Sequence, residues 1–122
     1  MLKPIEAPEY PPNDWYEPSE EAIAKINAAG PLEMIIFHGP WCKDCQYMIP
    51  VFNRIQQFIK NDAITMTVAE VAKETRKDPN GLCEKYGVSK VPSWVILKNG
   101  NEVGRIIENF KESFDEDVAA ML

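Results

Sequence analysis

Cys42 and Cys45 stand two residues apart in the segment FHGPWCKDC, residues 37–45. An aliphatic run precedes this segment and an amphipathic run follows it. Cysteines at this spacing serve as half of a metal site, as a structural disulfide or as a redox-active dithiol. The function that the sequence predicts depends on which of the three applies.

The expected position of Cys42 favours a reactive dithiol. It lies where a buried strand is expected to end and a helix to begin. Free backbone amides and the positive end of the helix dipole meet there, and both favour a thiolate over a thiol. Cys45 is expected one turn further, close enough to form a disulfide with Cys42. Cys42 would attack a partner disulfide and Cys45 would resolve the mixed disulfide. Lys43 and Asp44 act on the thiolate in opposite directions, so their charges partly cancel.

Zinc binding is the alternative for the same two cysteines. Zinc takes four ligands, and the chain offers no second Cys/His pair at a suitable spacing. His38, the single histidine, and Cys83 would complete a set of four only if Cys83 folded back to the end of the strand. The spacing therefore favours redox chemistry, and no metal or other cofactor is expected. Three cysteines, an odd number, indicate redox or metal chemistry in a reducing compartment rather than a disulfide scaffold.

The composition predicts one ordinary globular domain. The chain has 122 residues, of which 45% are hydrophobic and 26% charged. Its net charge of −6 argues against nucleic acid and anionic membranes as partners. No apolar run reaches the ~20 residues of a membrane span, and the first residues lack the apolar core of a signal peptide. We therefore expect a cytoplasmic monomer.

The apolar pattern predicts alternating helices and strands. Helices are expected at about 18–29, at 43–60 with a kink at Pro50, within 78–87, and in the last segment with Phe110, Phe114 and Val118 inward. Strands are expected at 32–38, at 64–71 and on both sides of Asn99-Gly100. Strands separated by helices require parallel crossovers, and the final hairpin adds antiparallel strands. The predicted fold class is therefore α/β, with a central mixed β-sheet flanked by helices on both faces.

We expect two parts in the chain. Residues 1–18 form a Pro-rich N-terminal arm, in which a short edge strand is one option, and residues 19–122 form the domain. Trp15 and Tyr16 are expected to anchor the arm. The acids of the last segment are expected to form a solvated face: Glu112, Asp115, Glu116 and Asp117.

Over roughly residues 20–122, the chain resembles the thioredoxin family. The resemblance rests on Trp41 before the CxxC pair, Pro50 five residues after Cys45, Tyr86-Gly87, Val91-Pro92-Ser93 and the hairpin at 98–100. It implies the thioredoxin fold and thiol–disulfide exchange, with Cys42 as nucleophile and Cys45 as resolving thiol. The implied partners are disulfide-containing proteins and a reductase or another dithiol as electron donor.

The resemblance also implies a docking surface. Pro92 corresponds to the cis-proline that faces the dithiol, and the backbone at Val91 would pair with a substrate strand. Trp41 corresponds to an exposed tryptophan on an apolar docking surface.

Four positions depart from the family pattern. Lys43-Asp44 replaces Gly-Pro, and Ile36 replaces a buried acid thought to help deprotonate the resolving cysteine. His38 stands at an aromatic position, and Glu108 stands where a glycine usually faces the substrate. Ile36 and Glu108 are the basis of an alternative function, a redox-inactive binding module that uses the cis-proline groove.

Two residues near or outside the motif have open roles. His38 is either a packed or hydrogen-bonded residue at a strand end, which we favour, or a base serving Cys45, since neutral imidazole accepts a thiol proton near pH 7. Cys83 is expected to be a small core residue.

Overall fold

A computed structural model describes residues 2–122 and contains eight helices and strands. In chain order they are α1 (Glu20–Asn27), β1 (Leu32–His38), α2 (Lys43–Gln56), β2 (Ile64–Glu70), α3 (Leu82–Tyr86), β3 (Ser93–Lys98), β4 (Asn101–Ile107) and α4 (Phe114–Met121). The order and type of these elements agree with the prediction. Among the described residues, no helix has the length and apolar character needed to cross a membrane.

Strand β1 lies inside a four-stranded sheet of order β2-β1-β3-β4. It pairs in parallel with β2, from Leu32 opposite Ile64 to His38 opposite Glu70, and antiparallel with β3. β3 and β4 form the predicted antiparallel hairpin. The central mixed sheet flanked by helices is therefore confirmed. Six of the seven residues of β1 are buried, because it has a neighbour on each edge and is covered on both faces.

An aromatic cluster holds α2 against β3 and α4. The ring centroid of Phe52 lies 5.7 Å from that of Trp94 and 4.9 Å from that of Phe114, and all three side chains are fully buried. Buried aromatic pairs of this kind contribute about 0.5–1.5 kcal/mol each beyond their area burial. Since α2 begins at the dithiol and β3 begins after Pro92, this cluster fixes the two sides of the site relative to each other.

The ends of two helices differ from the prediction. Helix α2 ends at Gln56, before the predicted residue 60. The next residues form tight turns, in which the amides of Phe58 and Ile59 each donate to the carbonyl three residues earlier. Helix α4 begins only at Phe114, because the Ser113 side chain accepts the Glu116 amide and caps it. Phe110 therefore lies before the helix, where it packs on Trp94 with ring centroids 5.6 Å apart.

Residues 2–18 contain no helix or strand, so the optional edge strand is absent from them. This segment packs on the rest of the chain through two buried side chains, Ile5 and Tyr10. The Asn53 side chain pairs with the Ile5 backbone, accepting its amide at 2.8 Å and donating to its carbonyl at 2.9 Å. Trp15 is 62% exposed, so its predicted role as an anchor is wrong.

Asp115 corrects the predicted solvated face of the last helix. Its carboxylate is fully buried and accepts the Tyr16 hydroxyl at 2.7 Å and the Ser19 amide at 2.8 Å. Ser19 caps α1, and α1 packs against α4. A carboxylate between two donors is satisfied without water, so Asp115 connects residues 16–19 to the last helix.

Substitution of Asp115 should destabilise the fold. Asp115→Ala leaves two donors without their acceptor, and we expect a loss of about 2 kcal/mol in the free energy of unfolding. Urea denaturation measures the loss. Glu112→Ala, at an exposed site, is the control and should change stability by less than about 0.5 kcal/mol. Equal stability of the two variants would contradict the assigned role of Asp115.

Candidate active site

Cys42 lies at the N-cap of α2, four residues after β1 ends. Its backbone is extended, with φ −92° and ψ 126°, and its carbonyl accepts the Gln46 amide at 3.0 Å. The side chain does not cap the helix. Instead the partly exposed thiol donates to the Val91 carbonyl oxygen, at a sulfur–oxygen distance of 3.6 Å. The sulfur thus lies between the start of a helix and the loop that carries Pro92.

Cys45 lies one turn further into α2 and is fully buried. The Gly39 amide donates to its sulfur at 3.5 Å. Burial raises the pKa of Cys45 to about 12, although the Gly39 amide acts in the opposite direction. The two cysteines are free thiols and differ in access, since Cys42 is partly exposed. Solvent reaches only one of them, as attack followed by internal resolution requires.

The loop before β3 faces Cys42. Its Val91–Pro92 peptide bond is cis, and both residues are buried. The Ser93 hydroxyl donates to the Lys90 carbonyl at 2.6 Å and closes the turn. The Val91 carbonyl, which Cys42 contacts, therefore has a fixed position beside the nucleophile.

Trp41, the residue before Cys42, is held in place by its neighbours. Its indole nitrogen donates to the Val71 carbonyl at 2.8 Å, and the guanidinium of Arg76 lies 4.9 Å from its ring centroid. The backbone at Gly39 passes so close to the indole that a Cβ there would collide with it. Arg76 was not predicted as a site residue, because nothing in a polar loop 35 positions from Trp41 shows that the two side chains meet.

Glu108 lies on the other side of Pro92. Its backbone is left-handed, with φ 63°, and its amide donates to the Pro92 carbonyl at 2.8 Å. Its carboxylate forms an ion pair of 3.4 Å with Lys90. Glycine adopts this conformation without strain, which explains why a glycine suits the position. In this chain a charged pair lies at the rim of the loop instead.

Lys43 and Asp44 are exposed on the first turn of α2. Both side chains are therefore accessible to solvent beside the partly exposed Cys42. Ile36, in contrast, is fully buried inside β1, so the strand presents an apolar side chain at the position of the expected acid.

His38 is buried at the end of β1 and hydrogen-bonded. Its Nδ1 lies 2.6 Å from the hydroxyl of Tyr10, and the two rings pack with centroids 5.6 Å apart. Burial lowers the pKa of His38, while the nearby Glu70 carboxylate opposes the shift. The imidazole is therefore neutral at pH 7. Tyr10 was not predicted as a site residue, since a tyrosine in a Pro-rich segment gives no sign of what it contacts.

Cys83 is buried on α3. The Asp78 carboxylate accepts its backbone amide at 2.8 Å. Burial, and then the hydrogen bond with Asp78, raise the pKa of the Cys83 thiol to about 11. Cys83 therefore belongs to the core. Within residues 2–122, no group of three or more His, Cys, Asp or Glu side chains is arranged to hold a metal ion.

Comparison with known proteins places the chain in the thioredoxin family, whose model, described as Thioredoxin, matches residues 19–120. A thioredoxin from Chlamydia caviae is 29% identical over 89 residues, which cover 73% of this chain and 79% of that protein. Protein disulfide isomerase-like 2-2 from rice, Oryza sativa subsp. japonica, is 29% identical over 82 residues, which cover 67% of this chain. The match spans only 21% of the rice protein.

The fold also agrees with a solved structure. The protein Trxlp from Edwardsiella tarda superposes with a TM-score of 0.55 at 17% identity, and the match covers 85% of this chain and 93% of that one. At this identity the likeness supports the fold alone.

Enlarging Gly39 should displace Trp41. In Gly39→Ala the added Cβ would collide with the indole, and we expect a loss of about 1–3 kcal/mol together with greater exposure of Trp41. Urea denaturation and acrylamide quenching of tryptophan fluorescence measure the two effects. Gly104→Ala is the control, because its Cβ meets only the flexible side chain of Met121. Unchanged quenching in Gly39→Ala would contradict the packing described.

Proposed function

We propose that the chain is a thiol–disulfide oxidoreductase that exchanges its Cys42–Cys45 dithiol with disulfides of other proteins. The observation that carries the proposal is the position of the Cys42 sulfur, partly exposed at the start of α2 and 3.6 Å from the Val91 carbonyl oxygen. Membership of a family that includes thioredoxins and protein disulfide isomerase-like proteins supports oxidoreductase activity in general. The specific exchange is our inference from the site.

Exchange proceeds in two displacements. The Cys42 thiolate attacks one sulfur of the partner disulfide, forms a mixed disulfide and releases the other sulfur as a thiolate, which takes a proton. Cys45 then loses its proton and attacks the Cys42 sulfur. The mixed disulfide breaks, the second partner thiolate leaves, and a Cys42–Cys45 disulfide remains. Two electrons pass to the partner, and a reductase or another dithiol must return them.

Substrate docking would use the loop at Val91-Pro92. An extended segment of the partner would pair with the backbone at Val91, beside the thiol that attacks it. Trp41 would add apolar contact area on one side, and the Lys90–Glu108 pair would face the partner on the other. Lys43 and Asp44 would contact the partner from the first turn of α2. No organic cofactor is needed.

The chemistry suits a reducing compartment, which we propose is the cytoplasm. All three cysteines are free thiols, and Cys83 lies in the core where it does not compete for the dithiol. In such a compartment the Cys42–Cys45 disulfide is reduced back to the dithiol, and the protein can then reduce another partner disulfide.

Serine variants of the cysteines test the function. Cys42→Ser should abolish the reduction of insulin disulfides by dithiothreitol-reduced protein, because the two remaining thiols are buried. Cys45→Ser should retain attack but accumulate mixed disulfides, visible as reducible adducts in mass spectrometry. Cys83→Ser is the control and should keep at least about half of the activity, since it lies outside the exchange. If the unaltered protein and Cys42→Ser reduced insulin at the same rate, the proposal would be refuted and the redox-inactive binding module would be favoured.

A further inference from the structure

The chain has a buried polar pair at the end of β1, the strand that leads into the dithiol. Tyr10 comes from the segment before α1, His38 from the end of β1, and only 8% and 4% of these residues are exposed. The hydroxyl oxygen and Nδ1 lie 2.6 Å apart. Burial and the charge of Cys45 raise the pKa of Tyr10 above its usual range, so it keeps its proton. The phenol is therefore the donor, and the unprotonated Nδ1 of a neutral imidazole is the acceptor.

His38 adjoins a residue that contacts the sulfur of Cys45. The Gly39 amide that donates to this sulfur belongs to the residue after His38. The charge that Cys45 would carry acts more strongly on the Tyr10 hydroxyl than that of any other titratable group around it. The remaining charges that face the pair come from Glu70 at the end of β2, Cys42 at the start of α2 and Glu9 of the N-terminal segment.

Resolution by Cys45 requires a proton acceptor. With a pKa of about 12, Cys45 is a thiolate at pH 7 in on the order of one molecule in 10⁵. The thiolate, not the thiol, attacks a disulfide. Ile36 is buried at the position on β1 where the family pattern has an acid, so this position supplies no carboxylate to accept the proton. An imidazole that is neutral at pH 7 is the group suited to accept a proton under these conditions.

We propose that Tyr10 and His38 form a relay that takes the proton from Cys45 during the resolving step. The inference rests on the proposed function and adds residues to it. Because the phenolic hydrogen already occupies the lone pair of Nδ1, a proton reaches this nitrogen only through the hydroxyl. Tyr10 passes its own hydrogen to Nδ1 and takes the one from Cys45.

The step balances without another reactant. The S–H bond of Cys45 breaks, a new N–H bond forms on His38, and Tyr10 has the same number of hydrogens before and after. The sulfur of Cys45 then forms its bond to Cys42, and the partner leaves as a thiolate. The imidazolium stays close to the sulfur while it is charged, and opposite charges at short range favour each other. The proton later returns to solvent or to the leaving thiolate.

The relay makes the N-terminal segment part of the active site. Tyr10 is held there by its burial and by the pairing of Ile5 with Asn53 on α2, the helix that carries both cysteines. In the relay, this segment therefore supplies the Tyr10 hydroxyl, through which the proton moves.

Two-phase kinetics with an aromatic disulfide probe tests the relay. Reduced protein reacts with 5,5′-dithiobis(2-nitrobenzoate) in a Cys83→Ala background. The first release of coloured thiolate reports attack by Cys42, and the second reports resolution by Cys45. The rate of the second phase is followed from about pH 7 to 9, a range above the pKa of His38 and below that of Cys45.

In the parent protein the second phase should be nearly independent of pH over this range, because the neutral imidazole accepts the proton throughout. His38→Gln keeps a hydrogen-bond acceptor but removes the base, and Tyr10→Phe removes the relay. Each should slow the second phase roughly 100-fold near pH 7. In each the rate should then rise about tenfold per pH unit, as the thiolate fraction does. The double variant should be no slower, and the first phase should stay within about twofold.

Two control variants separate the relay from other causes. Tyr16→Phe removes the other hydrogen-bonded tyrosine of the N-terminal segment and should leave the second phase unchanged. Glu70→Gln removes the carboxylate whose charge acts on both members of the pair, and it should keep the phase independent of pH. Circular dichroism and urea denaturation of each variant verify the fold.

Three outcomes would overturn the relay. They are an unchanged second phase in both Tyr10→Phe and His38→Gln, a pH-independent phase that survives in only one of them, and loss of pH independence in Glu70→Gln. A missing first phase in the parent protein would instead refute the proposed function itself.

Discussion

The contact between the Cys42 thiol and the Val91 carbonyl is the constraint on which the site depends. It joins two segments that are 49 positions apart, the start of α2 and the loop before β3. The sheet makes the contact possible, because β1 leads into the dithiol and its neighbour β3 leads away from Pro92. The cluster of Phe52, Trp94 and Phe114 then holds α2 at a fixed distance from β3. A rigid core thus presents a partly exposed sulfur beside a backbone edge.

Burial separates the roles of the two thiols. Cys42 has solvent access, whereas Cys45 lies behind it with its pKa raised by burial. The same burial that protects Cys45 from outside partners makes it difficult to deprotonate. The neutral imidazole of His38, with its own pKa lowered by burial, lies in this region of the core. In the proposed exchange, this one physical effect, burial, would set both the order of the two displacements and the need for a base in the second.

Local patterns predicted the fold and the dithiol, but long-range contacts escaped them. The buried strand β1, the amphipathic α2 and the Asn99-Gly100 hairpin follow from apolar period and turn residues, and the resemblance drew attention to Val91-Pro92. The contacts of Tyr10 with His38 and of Tyr16 with Asp115 join residues 28 and 99 positions apart. No periodicity encodes such pairs, so a buried acid was predicted to be solvated and no contact of Tyr10 near the site was predicted.

The reduction potential of the dithiol would show whether Cys42 and Cys45 exchange electrons as a pair. Native protein is equilibrated in dithiothreitol redox buffers, and the cysteine-containing peptides are identified after trapping. We expect one transition between the Cys42–Cys45 dithiol and its disulfide, with a tenfold change in the ratio of the two forms for every ~30 mV, as two electrons require. Absence of this disulfide at every potential, or a disulfide that joins Cys83 to Cys42 or to Cys45, would contradict the proposed exchange.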